Sequence, residues 1–355
     1  MSDETLLLSP PVSAAAQSPA QRITIAACIM VCVELIFAVY AYLTSHALSG
    51  SKLSPLVFAW LRDVFATLLL LSAAYISERR RPASECRFWP EEKHWLRLLL
   101  CGTLGVWGSQ GMSALALAHL DPTTFSLLQP LMPVVTVIVG TLSGVEPPFS
   151  LRSWTTWAKV VGLCVAVAGA MIVVVFSSNG KAAGSGASFL GLLFASLQLC
   201  TGSSYPVAQK ALFSHYRPLV VAAWCYATGL LVLSLSVATG AASPSDWTLD
   251  LKAAGAIAFA AVFGSAVAYG AMSWANALVG PVLLIVFFPL LPLFTAILVW
   301  VLDGTVISLG AVLGGLCITA GLGCVIAAKF KEANANAPAG SELADASSDG
   351  SDQEK

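Results

Sequence analysis

Charge is what this chain has least of. Only 10% of its 355 residues are Asp, Glu, Lys or Arg, against about 25% in soluble globular proteins. With 57% hydrophobic residues and a mean hydropathy of +0.81, the polar residues are too few to coat a body in water, which excludes the soluble classes. The 18 basic and 19 acidic residues nearly cancel, and no basic stripe is present to follow a nucleic-acid backbone. Nine cysteines occur, yet none are spaced as metal ligands or as a disulfide framework. Most of them, from Cys28 to Cys324, lie in apolar runs and read as small hydrophobes. The chain also lacks a Gly-rich phosphate loop, a Walker sequence and a nucleophile elbow. Its one superficial match, GTLGVWGSQG from Gly102 to Gly111, has no strand before it, so its glycines read as helix-packing positions. No enzyme activity, metal or cofactor is therefore expected. Nor is a cleavable signal peptide, because residues 1–20 have no positive n-region and no apolar core of suitable length.

What the sequence has is long apolar runs. A membrane-crossing helix needs roughly 20 such residues, and about ten runs qualify, near 23–48, 54–77, 94–119, 122–143, 153–177, 188–213, 217–240, 251–277, 281–303 and 308–330. The fold class that follows is an all-α polytopic membrane protein. Residues 1–21, rich in Ser, Pro and Ala, and the small acidic stretch 331–355 read as disordered tails. Between them, 22–177 and 188–330 form two halves joined by a linker at 178–187.

Two of the runs share a pattern. LLQPLMPVVT (Leu127 to Thr136) and VFFPLLPLFT (Val286 to Thr295) each hold two prolines three apart, Pro130 with Pro133 and Pro289 with Pro292, at a constant offset of 159 residues. Ala116 and Pro122 match Ala275 and Pro281 at that offset. A proline inside a helix removes a donor and opens the backbone. Paired interruptions in corresponding halves are the mark of a transporter whose site lies at the repeat interface. Trp60 and Trp224 correspond at an offset of 164, and GLCVAVAGAMIVV from Gly162 parallels GLCITAGLGCVIA from Gly315.

Lys and Arg set the expected orientation. With a cytoplasmic N-terminus, fourteen of the 18 fall on that side, including Arg79, Arg80 and Arg81, whereas Lys52, Lys181 and Lys252 fall opposite and Arg62 lies within a helix. Both termini are then cytoplasmic. Five helices in each half make the two halves inverted repeats.

The candidate site residues are the polar groups inside these runs, since an ionisable side chain at the centre of a membrane helix costs about 2.5–3.5 kcal/mol on insertion scales. Glu34 lies roughly 16 Å from the cytoplasmic face at 1.5 Å per residue, and Arg62 lies roughly 18 Å from it in a core about 30 Å thick. Similar depth makes a Glu34–Arg62 ion pair plausible, with Asp63 as a competing partner for the arginine. Glu34 reads either as a group that binds protons or solute, or as half of a structural pair. Gln198 matches Glu34 at the offset of 164, so one half offers a carboxylate where the other offers an amide. Gln110 and Gln129 flank the turn between the third and fourth helices. Trp107, Tyr40, Tyr226 and Tyr269 are candidate walls of a cavity, with ordinary packing as the alternative. His119, Asp121 and Asp303 read as helix-end groups.

These residues bring a family with them. AWLRDVFATLLLL, SERRRP (Ser77 to Pro82), AKVVGLCVAVAGAM (Ala158 to Met171), DWTLD (Asp246 to Asp250), SAVAYGAMSWANALVGPV (Ser265 to Val282) and FFPLLPLFTAIL (Phe287 to Leu298) resemble the EamA branch of the drug/metabolite transporter superfamily. Within it they resemble the plant Walls-Are-Thin-related transporters, over roughly residues 22–330. The resemblance implies a ten-helix inverted-repeat carrier whose fourth and ninth helices line a central cavity. It also implies a small organic solute such as an amino acid, an auxin-like acid or another metabolite. In place of the family's frequent Gly-Glu helix ending, this chain has Val145-Glu146 and Asp303-Gly304.

The expected partners are thus a small-molecule solute, the lipid bilayer and, through Glu34, protons; a homodimer is a further expectation. A nucleotide-sugar or sugar-phosphate exchanger on the same fold is the alternative, weakened because Arg62 is the only deep cation for a phosphate. A non-transporting scaffold is the other, weakened by short loops and tails. DETLLL (Asp3 to Leu8) places Leu7 and Leu8 four and five residues after an acid. That spacing suits vacuolar or endosomal sorting, with the plasma membrane as the default.

Overall fold

The computed structural model describes residues 18–48, 53–82, 85–117, 119, 128–145, 153–177, 189–238, 247–304 and 309–335. Among these residues the chain forms ten helical segments in sequence order. They are α1 (Pro19–Leu48), α2 (Pro55–Arg79), α3 (92–117), α4 (Gln129–Leu142), α5 (Trp154–Ser177), α6 (Phe189–Lys210), α7 (Pro218–Ser236), α8 (Leu251–Val279), α9 (Pro281–Asp303) and α10 (Leu309–Ala335). Residues 1–17 and 336–355, the 178–187 linker, Asp121, Pro122 and Glu146 lie outside the described residues, whereas 19–21 and 331–335, read from sequence as tail, are the ends of α1 and α10.

Seven of the ten, α1, α2, α5, α7, α8, α9 and α10, are long and apolar enough to cross a membrane. The other three differ for local reasons. The described part of α4 is short. α6 carries Gln198, Thr201, Ser203, Ser204 and Gln209. α3 is divided into several conformations.

Helix starts follow from proline. Pro55, Pro218 and Pro281 each stand in the first helical turn, where the missing N–H has no helical partner to lose. Asp250 caps α8 by accepting the Ala253 N–H at 2.7 Å. Gly280, at φ 87° and ψ 168°, takes a positive-φ conformation suited to glycine and joins the end of α8 to the start of α9. Along each helix, large apolar side chains such as Phe65, Leu68, Leu142 and Phe189 face outward, as expected for a bundle whose solvent is lipid.

The packing repeats between halves. α1 lies against α8 and α9 as α6 lies against α3 and α4. α2 meets α8 as α7 meets α3, while α2–α7 and α5–α10 pair across the halves. Because each half has an odd number of helices, the second threads the bundle in the opposite sense.

The α5–α10 contact is made backbone to backbone. A Cβ at Gly169 would lie 2.6 Å from the Gly314 carbonyl oxygen, and one at Gly314 would lie 2.6 Å from that of Gly169. Only glycine permits such an approach, as in other lipid-embedded helix pairs.

Interruptions of the helices also come in pairs, though not only where prolines mark them. Thr103–Gly111 in α3 and Ala260–Val267 in α8 are both π-helical, a conformation frequent at functional sites. They occupy corresponding stretches, with Gly105 matching Gly264 at the 159 offset. Each of these glycines receives a tyrosine ring: Tyr205 of α6 packs on Gly105, and Tyr40 of α1 packs on Gly264.

The four marked prolines lie at local breaks in the α-helical geometry of α4 and α9. Pro130 sits in a 3-10 turn that follows the helical Leu128, and Pro133 sits in the first turn of the α-helix after it. Pro289 ends a tight stretch of α9 in which Phe287, Phe288, Leu290 and Leu291 each donate to the residue three before. Pro292 sits in the first turn after that stretch. A proline cannot donate the i→i−4 bond, and the α-helical ladder of α9 gives way there to a turn with tighter i→i−3 bonds. A further proline, Pro206, lies inside α6.

Each end of the α2–α7 pair is covered by an aromatic clamp. Trp224 of α7 packs on Phe88 (ring centroids 5.7 Å apart) and donates its indole N–H to the Phe88 carbonyl at 2.8 Å. Its counterpart Trp60 of α2 packs on Trp247 at the same 5.7 Å, and Trp247 matches Phe88 at the 159 offset. The loop carrying Phe88 is further tied down because Glu78 accepts the Arg87 N–H at 3.0 Å and the Tyr216 hydroxyl accepts the Glu91 N–H at 2.8 Å. The Tyr216 oxygen also lies 2.8 Å from His94 Nδ1, and the His215 ring stacks 4.4 Å from that of His94. Burial, and secondarily the neighbouring His215, push the His94 pKa below its ordinary value.

Candidate functional site

The inward faces of α1, α2, α3, α7 and α8 bring most of the candidate residues together. Arg62 is 6% exposed and Asp63 fully buried. The Arg62 Nε donates to Asp63 Oδ1 at 3.0 Å, and its Nη1 donates to the Tyr40 hydroxyl at 2.8 Å. The guanidinium also lies 5.6 Å from the Tyr40 ring centroid, within cation–π range. The structure thus assigns the arginine to the competing partner, Asp63, and not to Glu34. Adjacent positions on a helix point apart, so depth alone favoured Glu34, but the flexible arginine stem folds back to its neighbour.

That pair is incompletely satisfied. Arg62 Nη2 and Asp63 Oδ2 are buried with no hydrogen-bond partner. Around them stand tyrosines. The fully buried Tyr226 meets the half-buried Tyr269 edge-on, with centroids 5.3 Å apart, and Tyr269 also approaches Phe37 and Tyr205. Gln110, in the π segment of α3, donates its amide to the Tyr226 hydroxyl at 3.1 Å and leaves its own carbonyl oxygen without a partner. An unpaired donor beside an unpaired acceptor, walled by aromatic rings, is suited to bind a small polar molecule.

The remaining candidates make no hydrogen bond to this cluster. Glu34 is fully buried on α1, and neither carboxylate oxygen has a hydrogen-bond partner. Gln129, in the first turn of α4, and Gln198 of α6 form a reciprocal amide pair at 3.1 and 3.4 Å. Trp107 donates to Ser236 at 2.7 Å and does not belong to the tyrosine cluster. His119 is exposed and stacks on Phe194, and Asp303 accepts the Tyr42 hydroxyl at 2.6 Å. Both fit helix-end roles.

One polar network escaped sequence reasoning. Asn276 of α8 donates to the Pro206 carbonyl at 2.8 Å and toward Gln209 at 3.4 Å. Gln209 in turn donates to Tyr205 at 2.9 Å and to Ser273 at 3.1 Å. Every member is nearly or fully buried. The carbonyl that Pro206 frees is that of Gly202, four residues before it, and not its own, so no sequence signal pointed to Asn276.

Sequence comparison decides what class of molecule this arrangement belongs to. The family model described as EamA-like transporter family matches residues 24–175 and again 189–327. The chain belongs to the EamA-like transporter family. As an EamA-like protein it is a membrane protein of a transporter family, not an enzyme. It is 24% identical to Protein WALLS ARE THIN 1 of Arabidopsis thaliana over 319 residues, 82% of this chain and 80% of that protein. Two WAT1-related proteins of the same plant are similar: one is 24% identical over 86% of this chain and 90% of its own length. The other is 27% identical over 82% and 83%. A solved crystal structure 20% identical to this chain superposes with a TM-score of 0.65, covering 84% of this chain and 96% of its own. At that identity it speaks for the fold alone.

Proposed function

We propose that this EamA-like protein is a secondary carrier that moves a small organic solute of amino-acid type by alternating access between its two halves. The observation that carries the reading is the Arg62–Asp63 pair with one donor and one acceptor unspent among Tyr40, Tyr226, Tyr269 and Gln110. A free guanidinium N–H suits a carboxylate, the free Asp63 oxygen suits an ammonium, and the rings suit an apolar or aromatic side chain. An exchanger of nucleotide sugars needs cations free for a diphosphate. Arg62 already serves Asp63 and Tyr40, which favours the smaller solute. The distribution of Lys and Arg supports cytoplasmic termini, and Glu34 is the candidate for proton coupling.

The test is uptake into proteoliposomes of three matched compounds: an aromatic amino acid, its decarboxylated amine and its deaminated acid. The amino acid is taken up faster than either, and Arg62→Met abolishes the difference. Equal uptake of all three refutes the reading. For address, the Leu7–Leu8 motif lies outside the described residues; replacing both by Ala moves a vacuolar or endosomal protein to the cell surface. An unchanged distribution means the motif is silent.

A further inference from the structure

The tyrosines that pack on Gly105 and Gly264 fix how the two halves superpose. The glycines match at the 159 offset, so their partners Tyr205 and Tyr40 match at 165. Glu34 of α1 then corresponds to Leu199 of α6 and not to Gln198. By the same measure Gln209 of α6 corresponds to Thr44 of α1, while Ser273 and Asn276 of α8 correspond to Ala114 and Leu117 of α3 at 159. The α6–α8 contact at one end of the bundle thus has its counterpart between α1 and α3 at the other. The two ends are built from different chemistry.

Where α6 and α8 end, they are bonded to each other. Gln209 stands in the last turn of α6 and Asn276 in the last turn of α8. Gln209 Nε2 donates to Ser273 Oγ at 3.1 Å. Asn276 Nδ2 donates to the Pro206 carbonyl at 2.8 Å and to Gln209 Oε1 at 3.4 Å. All three side chains are buried, so drawing the helices apart leaves these groups unpaired until water reaches them. The matching positions at the other end offer no such bonds. Ala114 and Leu117 have no polar side chain, and Thr44 Oγ1 is buried without a hydrogen-bond partner.

This latch stands next to the Arg62 cluster. Tyr269, Ser273 and Asn276 follow at spacings of four and three, on one face of α8, so the latch ends about 10 Å from Tyr269 at 1.5 Å per residue. Tyr205, whose hydroxyl accepts from Gln209 at 2.9 Å, places its ring 6.2 Å from that of Tyr269. We propose that Gln209, Ser273 and Asn276 are the gate between the cluster and the end of the bundle where α6 and α8 terminate, the end that Lys and Arg make cytoplasmic. Because only this gate is hydrogen-bonded, the solute-free protein rests with it shut and with the α1–α3 end parted. This rests on the carrier reading above and adds a resting state to it: the empty site faces away from the cytoplasm.

Hydrogen exchange on the purified full-length protein in lipid nanodiscs, with no solute added, tests this. Wild type and Asn276→Leu are compared over two sets of peptides, 203–210 with 271–279 at the gate and 38–44 with 110–117 at the other end. The expected result in the variant is exchange about tenfold faster in the first set, the order expected for losing one or two net hydrogen bonds, and slower in the second. The fall at the far end is the decisive reading, because rigid bundles that open at one end close at the other, whereas a local loss of packing has no reason to protect distant helices. Should Asn276→Leu not fold, Ser273→Ala, which removes one acceptor and adds no bulk, decides by the same two readings with a smaller change. Faster exchange at the gate with no fall in the second set overturns the proposal, and so does exchange unchanged in both. No solute is used, so equal uptake of the three compounds above removes the solute assignment and leaves this outcome independent.

Discussion

Removing the charge of Arg62 is the sharpest test of how the site is built. The Arg62→Met variant keeps the length of the side chain and deletes every donor. It leaves Asp63, fully buried, with neither oxygen partnered, because its one bond at 3.0 Å comes from Arg62, and it strips Tyr40 of the 2.8 Å donor. Breaking a buried ion pair from one side costs about 3–5 kcal/mol, while replacing both charges by apolar groups of similar volume is near neutral. The single variant should therefore lose about 3–5 kcal/mol, roughly two to three and a half powers of ten in the unfolding constant. The double variant Arg62→Met with Asp63→Leu should recover most of that loss. Reversible unfolding by SDS titration in mixed micelles reads the stability, and proteoliposome uptake reads the function. Stability should return in the double variant and transport should not, because the free donor and acceptor are gone. If the single variant is as stable as the wild type, the two charges are not sealed together and the geometry is misread. If the double variant transports normally, the pair is scaffolding only.

Gly169→Leu should separate α5 from α10, since even a Cβ there would lie 2.6 Å from the Gly314 carbonyl oxygen; a fall in Tm and loss of folded yield check it, and an unchanged melt refutes the backbone contact. Gln129→Leu leaves Gln198, 5% exposed, without its 3.1 Å partner and should cost about 1–3 kcal/mol; adding Gln198→Leu should recover part of it, a coupling that a double-mutant cycle measures. For His94, the depressed pKa means that folding favours the neutral ring, so its contribution is complete above the ordinary value of 6.5 and is lost as pH falls through the lower folded value. Tyr216, which already accepts the Glu91 N–H, has its proton left for His94 Nδ1. Acidification from pH 7 to pH 5 should thus loosen the 85–94 loop in hydrogen exchange, and His94→Gln should abolish the dependence; a loop equally protected at both pH values contradicts it.

Much of the fold was legible because lipid imposes a simple rule on the sequence. Long apolar runs separated by Pro and Gly located the ten helices, and the constant offset of the two PxxP segments exposed the repeat. What the offset could not show was the local backbone. Thr103–Gly111 and Ala260–Val267 are apolar and glycine-containing, a composition that suits an α-helix as well as the π-helix they form. In the site, the tyrosine cluster around Arg62 was anticipated as a set of residues but not as a geometry. The Gln129–Gln198 pair joins residues 69 positions apart, and the offset that singled out Gln198 said nothing of its partner. Asn276 carries no such signal, because its partners are a backbone carbonyl on α6 and a glutamine 67 positions away.

The glycine seam between α5 and α10 has a mechanical consequence. Where side chains interdigitate, helices can slide by small rotamer changes. Here the backbones themselves touch, with each glycine blocked by the opposite carbonyl. A shift along the axis would drive a bulkier residue into that carbonyl until the register advanced a whole turn, about 5.4 Å. The pair therefore behaves as a single stiff beam. The contacts elsewhere in the bundle, an amide clasp and two aromatic clamps, are made by side chains. If the two halves rock as proposed, α5 and α10 are the stator.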